Sequence, residues 1–200
     1  AGPNDTMYLS YDEDTYIPQI QAAYNYMADT WRVKVSGAYQ WTKVKDISYG
    51  FGTATVPPTT YSTLSDKNIH TWLVALEGEI SFGPLWLAAN ASVGQNWGNA
   101  GMMNSEFGQT YKDAGIFYLH NIASAQINER GKLKNTTSVN AGVVGAYQLT
   151  EALRFEAGVG FRYDDNSVFR QSSQIWNTYI QAAYTVAPGF EIVPEIGYID

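Results

Sequence analysis

Along most of this chain apolar and polar residues alternate with a period of two, and that constrains the fold more than any other feature. A strand sends successive side chains to opposite faces, whereas a helix repeats every 3.6 residues, so sustained alternation makes strands with one apolar and one polar face. Leu153 to Tyr163 is the clearest case. Leu153, Phe155, Ala157, Val159, Phe161 and Tyr163 face one way, and Arg154, Glu156, Gly158, Gly160 and Arg162 the other. The same pattern runs through Trp31 to Val44, His70 to Phe82, Leu85 to Trp97, Thr137 to Leu149, Gln174 to Val186 and Phe190 to Ile199. Tyr16 to Met27 reads as an eighth strand and Thr6 to Tyr11 as a candidate ninth. The expectation is one all-β domain over residues 1–200, with about eight or nine antiparallel strands.

The connections carry the next constraint. Four are tight: Ala28-Asp29-Thr30, Gly83-Pro84, Thr150-Glu151-Ala152 and Ala187-Pro188-Gly189. Between them fall long ones at about 45–67, 98–136 and 164–173. Short and long alternate strictly, so an up-and-down meander collects every tight turn at one end and every long loop at the other. Transmembrane barrels have that polarity, with short periplasmic turns and long extracellular loops. Aromatics gather at both strand ends. Tyr26, Trp31, Phe82, Trp86, Tyr147 and Phe190 lie by the tight turns; Tyr39, Trp41, Trp72, Trp97, Phe161, Tyr163, Trp176 and Tyr198 lie toward the loops. Tyr and Trp favour the membrane–water interface, where the ring is buried and its polar atom stays wet.

Composition excludes several classes. Charged residues make up 16% of the chain, against about 25% in ordinary soluble domains, so the polar faces rest on Asn, Gln, Ser, Thr and Tyr. A net charge of −7 argues against a nucleic-acid partner, which needs a Lys/Arg surplus. No cysteine is present, so there is no disulfide framework or thiolate metal site. No apolar run approaches the roughly 18 residues of a spanning helix, so any membrane crossing is made by strands. A soluble β-sandwich or a lipocalin-like binder also alternates, with core on one side and water on the other. Loop polarity, the two aromatic bands and the scarcity of charge on the apolar faces favour the membrane.

Hairpins such as Gly83-Pro84-Leu85-Trp86-Leu87-Ala88-Ala89 and Glu151-Ala152-Leu153-Arg154-Phe155-Glu156-Ala157-Gly158 resemble those of Gram-negative outer-membrane porins. The resemblance covers most of the chain as a pattern, without a diagnostic motif. It implies an up-and-down transmembrane β-barrel in the outer membrane of a Gram-negative bacterium, passing small hydrophilic solutes and ions by diffusion, usually as a homotrimer among outer-membrane lipid. Such barrels have an even strand count with both termini periplasmic, and they commonly close on a C-terminal aromatic. Here the last strand runs outward and ends Tyr198-Ile199-Asp200, so the expectation is a portion of a longer porin, such as one of 16 strands. The alternative is a small eight-stranded barrel serving as adhesin or anchor.

With the polar face as the lumen, the candidate pore-lining charges are Arg32, Lys34, Glu77, Glu79, Arg154, Glu156, Arg162, Glu191 and Glu195. Opposed charges would set up a transverse field that favours polar over apolar solutes. Alternatively the charges pair with one another: Arg32 and Lys34 face Glu77 and Glu79 on the next strand, and cross-strand pairs there would cancel. Selectivity would then fall to Arg162 and the loop acids. The long segment from Asn99 to Asn135 contains Ile116-Phe117-Tyr118-Leu119, costly to leave in water. It reads as a constriction folded into the barrel, an extra hairpin or a subunit contact.

No catalytic or metal site and no cofactor is expected, so the chain reads as a non-enzyme. His70 reads as an interfacial histidine. His120 with Ser124 lacks the orienting third group a hydrolase needs. The acidic runs Asp12-Glu13-Asp14 and Asp164-Asp165-Asn166 could hold Ca²⁺ through oxygen ligands, but read as solvated loop tips. Ile20-Gln21-Ala22-Ala23-Tyr24 recurs as Ile180-Gln181-Ala182-Ala183-Tyr184, before a tight turn each time.

Overall fold

Alternation becomes a ladder only if each strand finds a neighbour in register, and here consecutive strands do. A computed structural model describes residues 5–53, 62–100, 117–118, 124–127, 132–166 and 172–200. Its strands are β1 (Asp5–Met27), β2 (Trp31–Thr53), β3 (Ser62–Thr63), β4 (Lys67–Phe82), β5 (Leu85–Gln95), β6 (Phe117–Tyr118), β7 (Gln126–Ile127), β8 (Leu133–Lys134), β9 (Thr137–Gln148), β10 (Leu153–Asp165), β11 (Ser173–Ala187), β12 (Phe190–Ile192) and β13 (Glu195–Ile199). The main sheet has ten strands in the order β1-β2-β4-β5-β9-β10-β11-β12, with β13 continuing β12 along β11 and β3 beside β2. All its pairs are antiparallel. This is the expected all-β meander of the transmembrane β-barrel class. Among the described residues no ladder joins β1 to β12 or β13, so the sheet is curved but not closed.

Three boundaries differ from the sequence reading, each for a local reason. The stretches read as an eighth and a ninth strand are one strand, β1, of 23 residues. Register shifts at Ser10/Asp12, Thr15/Ile17 and Ile17/Ile20 interrupt its alternation without ending its pairing. β2 likewise runs past Val44 to Thr53. Asp46 adopts φ 49, and Asp46 and Ile47 together oppose Tyr11, a bulge that inverts the pattern beyond it. Within Phe190 to Ile199 the ladder breaks at Val193-Pro194, since proline cannot donate to it.

The register assigns the faces. One row across the sheet reads Tyr26, Val33, Gly78, Ala89, Val143, Val159, Thr178, Tyr198. The next reads Asn25, Lys34, Glu77, Asn90, Gly142, Gly160, Asn177, Ile199. Apolar rows meet no partner: Leu76, Val143, Phe155, Ile180 and Tyr184 are all large, apolar and exposed. Soluble monomers rarely leave a contiguous apolar patch above a few hundred Å². A lipocalin-like barrel would turn this face inward, so the soluble reading fails.

The aromatics bound this bare band. Tyr26 packs on Trp31 at the turn side, with ring centroids 5.0 Å apart. Toward the loops, Trp41 stacks on His70 at 6.1 Å and 8°, and the Tyr39 hydroxyl sits 2.8 Å from His70 Nδ1. His70 is thus part of the aromatic girdle. From Trp31 to Trp41 the strand rises about 33 Å. At a tilt of about 40° that is about 25 Å of height, the apolar band of an outer-membrane barrel. The echoed pentapeptide has the same logic: Ile20 with Tyr24 and Ile180 with Tyr184 all stand exposed on the apolar face before a tight turn.

Val159 lies in the middle of the band. Val159→Lys should cost about 2–4 kcal/mol in bilayers, whereas Asn90→Lys on the polar face should cost well under 1 kcal/mol. Equal losses in reversible urea unfolding from liposomes would contradict the face assignment.

Candidate functional site: the inward polar wall

The polar face is concave. One cavity of about 550 Å³ takes lining residues from β2 across to β13, among them Arg32, Glu77, Glu79, Asn140, Arg162 and Ile199. All nine candidate charges fall on this face by register.

Most of them are engaged with each other. Arg32 Nη2 lies 2.9 Å from Glu79 Oε2, and Lys34 Nζ 3.0 Å from Glu77 Oε1, so the first two rungs after the tight turn are cross-strand ion pairs. Arg154 and Glu156 approach to 3.8 Å along one strand, and Glu156 also accepts a 2.7 Å hydrogen bond from the Tyr179 hydroxyl. Arg162 is held by Asp164, at 2.7 Å from Nε to Oδ2 and 3.2 Å from Nη2 to Oδ1. Both residues are buried, and Ser138 Oγ donates to the same carboxylate. Asp164 is therefore not a solvated loop tip but the partner of Arg162, which is neutralised in place. Glu191 and Glu195 sit opposite Thr185 and Gln181 on the edge strands.

Toward the loops the inward face turns apolar. Val44, Ile47 and Ile69 are fully buried in a cluster with Ala125, against which Tyr11, Leu64 and Leu133 pack. Val44 and Ile69 occupy inward positions of β2 and β4, so Ala125, in the middle of the long segment, is drawn onto the inner wall. Around it β6, β7 and β8 form a separate three-stranded sheet. The described parts of the long segment thus pair with one another and also meet the wall at Ala125 and Leu133. Apolar residues at inward positions of otherwise polar strands were the sequence signal for this contact.

A buried hydrogen-bond network fixes the segment where it returns. Asn96, with φ 57, lies at the end of β5. Its amide donates to Thr136 O at 2.9 Å, and its Oδ1 accepts from the Thr136 amide at 2.9 Å. Its Nδ2 donates to His70 O and to Asn135 Oδ1, both at 3.0 Å. Thr136 Oγ1 donates to Ser124 O at 2.6 Å and accepts from Asn166 Nδ2 at 2.7 Å. Asn166 is thereby committed to structure, and Ser124 is fully buried; His120 lies outside the described residues. Trp97, expected on the lipid face, is instead buried in a short 3₁₀ turn with its Nε1 donating to Trp72 O at 3.2 Å. It lies over Gly94, where a Cβ would fall 2.0 Å from the indole nitrogen.

Beyond the girdle the outer surface carries Lys43–Asp66 at 2.7 Å and a Lys45–Asp14 pair. The hydrogen bond from Lys43 holds the Asp66 carboxyl below its ordinary value, against a smaller opposing effect of burial. Among the described residues no group of three or more acidic, His or Cys side chains could hold a metal ion.

A sheet bare and apolar outside, polar and concave inside, is the wall of a transmembrane β-barrel. No family model matches the chain, and no curated protein matches it. Among solved structures it is similar to the outer membrane channel DcaP of Acinetobacter baumannii, with 15% identity and a TM-score of 0.47 over 90% of this chain and 55% of that one. OmpT, an outer membrane protein of Vibrio cholerae, is similar in two structures. One has 13% identity and a TM-score of 0.48, over 90% of this chain and 53% of that one. The other has 14% identity and a TM-score of 0.46, over 90% and 54%. The chain spans about half the length of these proteins.

Two predictions follow from the wall. Glu77→Gln with Glu79→Gln should lower stability by at most about 1 kcal/mol per contact, the pairs being partly exposed and screened. It should leave the ion preference of any current nearly unchanged; a large shift in reversal potential at constant thermal stability would refute the cancellation. Asn96→Gly keeps the backbone conformation and removes three side-chain bonds, one buried and two part-buried, each worth about 1 kcal/mol. Limited proteolysis should then cut between Ser124 and Thr136 at least tenfold faster, and an unchanged rate would show that Asn96 does not fix the segment.

Proposed function

We propose that this chain forms the wall of a water-filled outer-membrane channel, a porin, through which small hydrophilic solutes and ions diffuse. The observation that carries the reading is the inversion of a soluble fold: an uncovered apolar band about 25 Å tall by strand rise and tilt surrounds a concave wall of ion pairs, amides and glycines. Water on that wall would satisfy its polar groups, and lipid would cover the band. The inward segment around Ala125 would narrow the passage at the loop end. Diffusion needs no nucleophile or cofactor, so the reading is of a non-enzyme with lipid and small solutes as partners and a homotrimer as the assembly. An adhesin or membrane anchor is the competing reading, because the same segment, packed more fully, would seal the barrel.

Reconstituted in planar bilayers, the full protein should give stepwise ohmic conductance that scales with bulk electrolyte. Silent bilayers with intact, heat-modifiable protein would favour the sealed barrel. Silence with hydrolysis of lipid or peptide would favour an enzyme.

A further inference from the structure

Charge and amide are used differently on the inner wall. Arg32, Lys34, Arg154 and Arg162 each hold a carboxylate. Asn90, Asn140 and Asn177 line the same cavity, and among the described residues their side chains have no hydrogen-bond partner. A carboxamide offers two donors and an acceptor with two lone pairs, so this capacity is left for whatever fills the cavity.

The arrangement is specific. Gly142 and Gly160 are paired directly across β9 and β10. Asn90 stands opposite Gly142 on β5, and Asn177 opposite Gly160 on β11. Both carboxamides reach over the glycine floor: a Cβ at Gly160 would lie 2.1 Å from Asn177 Oδ1, and one at Gly142 3.6 Å from the Asn90 carboxamide. Asn140 adds a third from the adjacent rung. One rung toward the turns, the Tyr179 ring lies across Gly158, whose added Cβ would meet Cε1 at 2.4 Å. Asn90 and Asn177 are three strand spacings apart, about 14 Å.

Neutral amides with donor and acceptor side by side match vicinal hydroxyls, which also donate and accept. A flat aromatic face beside them matches the C–H face of a sugar ring. A simple ion gains little there, since the charges that line the cavity, Arg32, Glu77, Glu79 and Arg162, are already paired. We propose that Asn90, Asn140 and Asn177 over Gly142 and Gly160, with Tyr179 alongside, form a weak binding shelf for an uncharged polyhydroxylated solute of one or two sugar rings. As a station for a solute in transit, the shelf rests on the channel reading.

Calorimetric titration of the full chain in detergent micelles with sucrose tests the shelf without requiring a pore. Binding is expected, and Asn90→Ala with Asn177→Ala should weaken it at least tenfold. Folding should survive, because neither side chain has a protein partner among the described residues. In bilayers, sucrose should cause brief current blockades that the double variant loses, while its conductance in potassium chloride stays within twofold. No heat of binding in the parent, or the same affinity in the double variant, overturns the shelf. Sucrose binding in micelles with silent bilayers overturns the channel and leaves the shelf standing. Open channels that bind no sucrose do the reverse.

Discussion

Lipid offers a backbone nothing to hydrogen-bond with, and every other feature of this wall follows from that. Each unsatisfied amide or carbonyl in hydrocarbon costs several kcal/mol, so a crossing strand must be paired along its whole length inside the membrane. The ladders β2–β4, β4–β5, β5–β9, β9–β10 and β10–β11 run in unbroken register. The irregularities gather elsewhere: toward the loop end of β1 and β2, beside the last tight turn at Thr185/Ala187, and where the chain passes from β12 to β13. The bulge at Asp46 sits beyond the Tyr39, Trp41 and His70 girdle, where water can serve the freed groups.

Continuous pairing fixes the faces, and the faces decide the chemistry. With apolar side chains committed to lipid, the inner wall holds every inward polar residue, and it keeps Coulomb energy low by pairing charges across a rung or along a strand. Arg32 with Glu79 and Lys34 with Glu77 do this across strands; Arg162 with Asp164 does it along one. The last pair is the most buried and the most costly to break, because removing one partner would strand the other without water. Residual polarity on the wall is therefore carried by amides and hydroxyls, which hydrate without a strong field.

Strands, faces and turn polarity were legible because period two is a local property: Leu153 to Tyr163 needs no knowledge of its neighbours. The misreadings fall where a bulge, a glycine or a neighbouring strand reset a local pattern. Thr6 to Tyr11 and Tyr16 to Met27 read as two strands because bulges break alternation without breaking pairing. Trp97 read as a lipid-facing aromatic, yet Gly94 leaves room for its indole to fold back. Asp164 read as a loop acid because β10 runs past Tyr163 and carries it onto the face of Arg162, while Ser138 becomes a partner only once β9 and β10 are aligned. The pairing of Arg32 and Lys34 with Glu77 and Glu79 could be read ahead, since it lies between adjacent strands.

The hydrogen bonds between Asn96 and Thr136 join residues 40 apart in sequence, and they sit where β5 begins to pair with β9. All other neighbours in the main sheet from β4 onward are joined by shorter connections, most of them tight turns that can zip within microseconds. Closing a loop of that length instead of a two- or three-residue turn spans roughly four doublings, about 2.4 kcal/mol of extra entropy. The sheet therefore has a seam. A hairpin stack from β1 to β5 and another from β9 to β13 can each form from local contacts, and from β4 onward their union at β5–β9 is the step that costs the most loop entropy. By gripping both ends of the excursion, Asn96 acts as the clasp on that seam, holding two quickly made halves in one register.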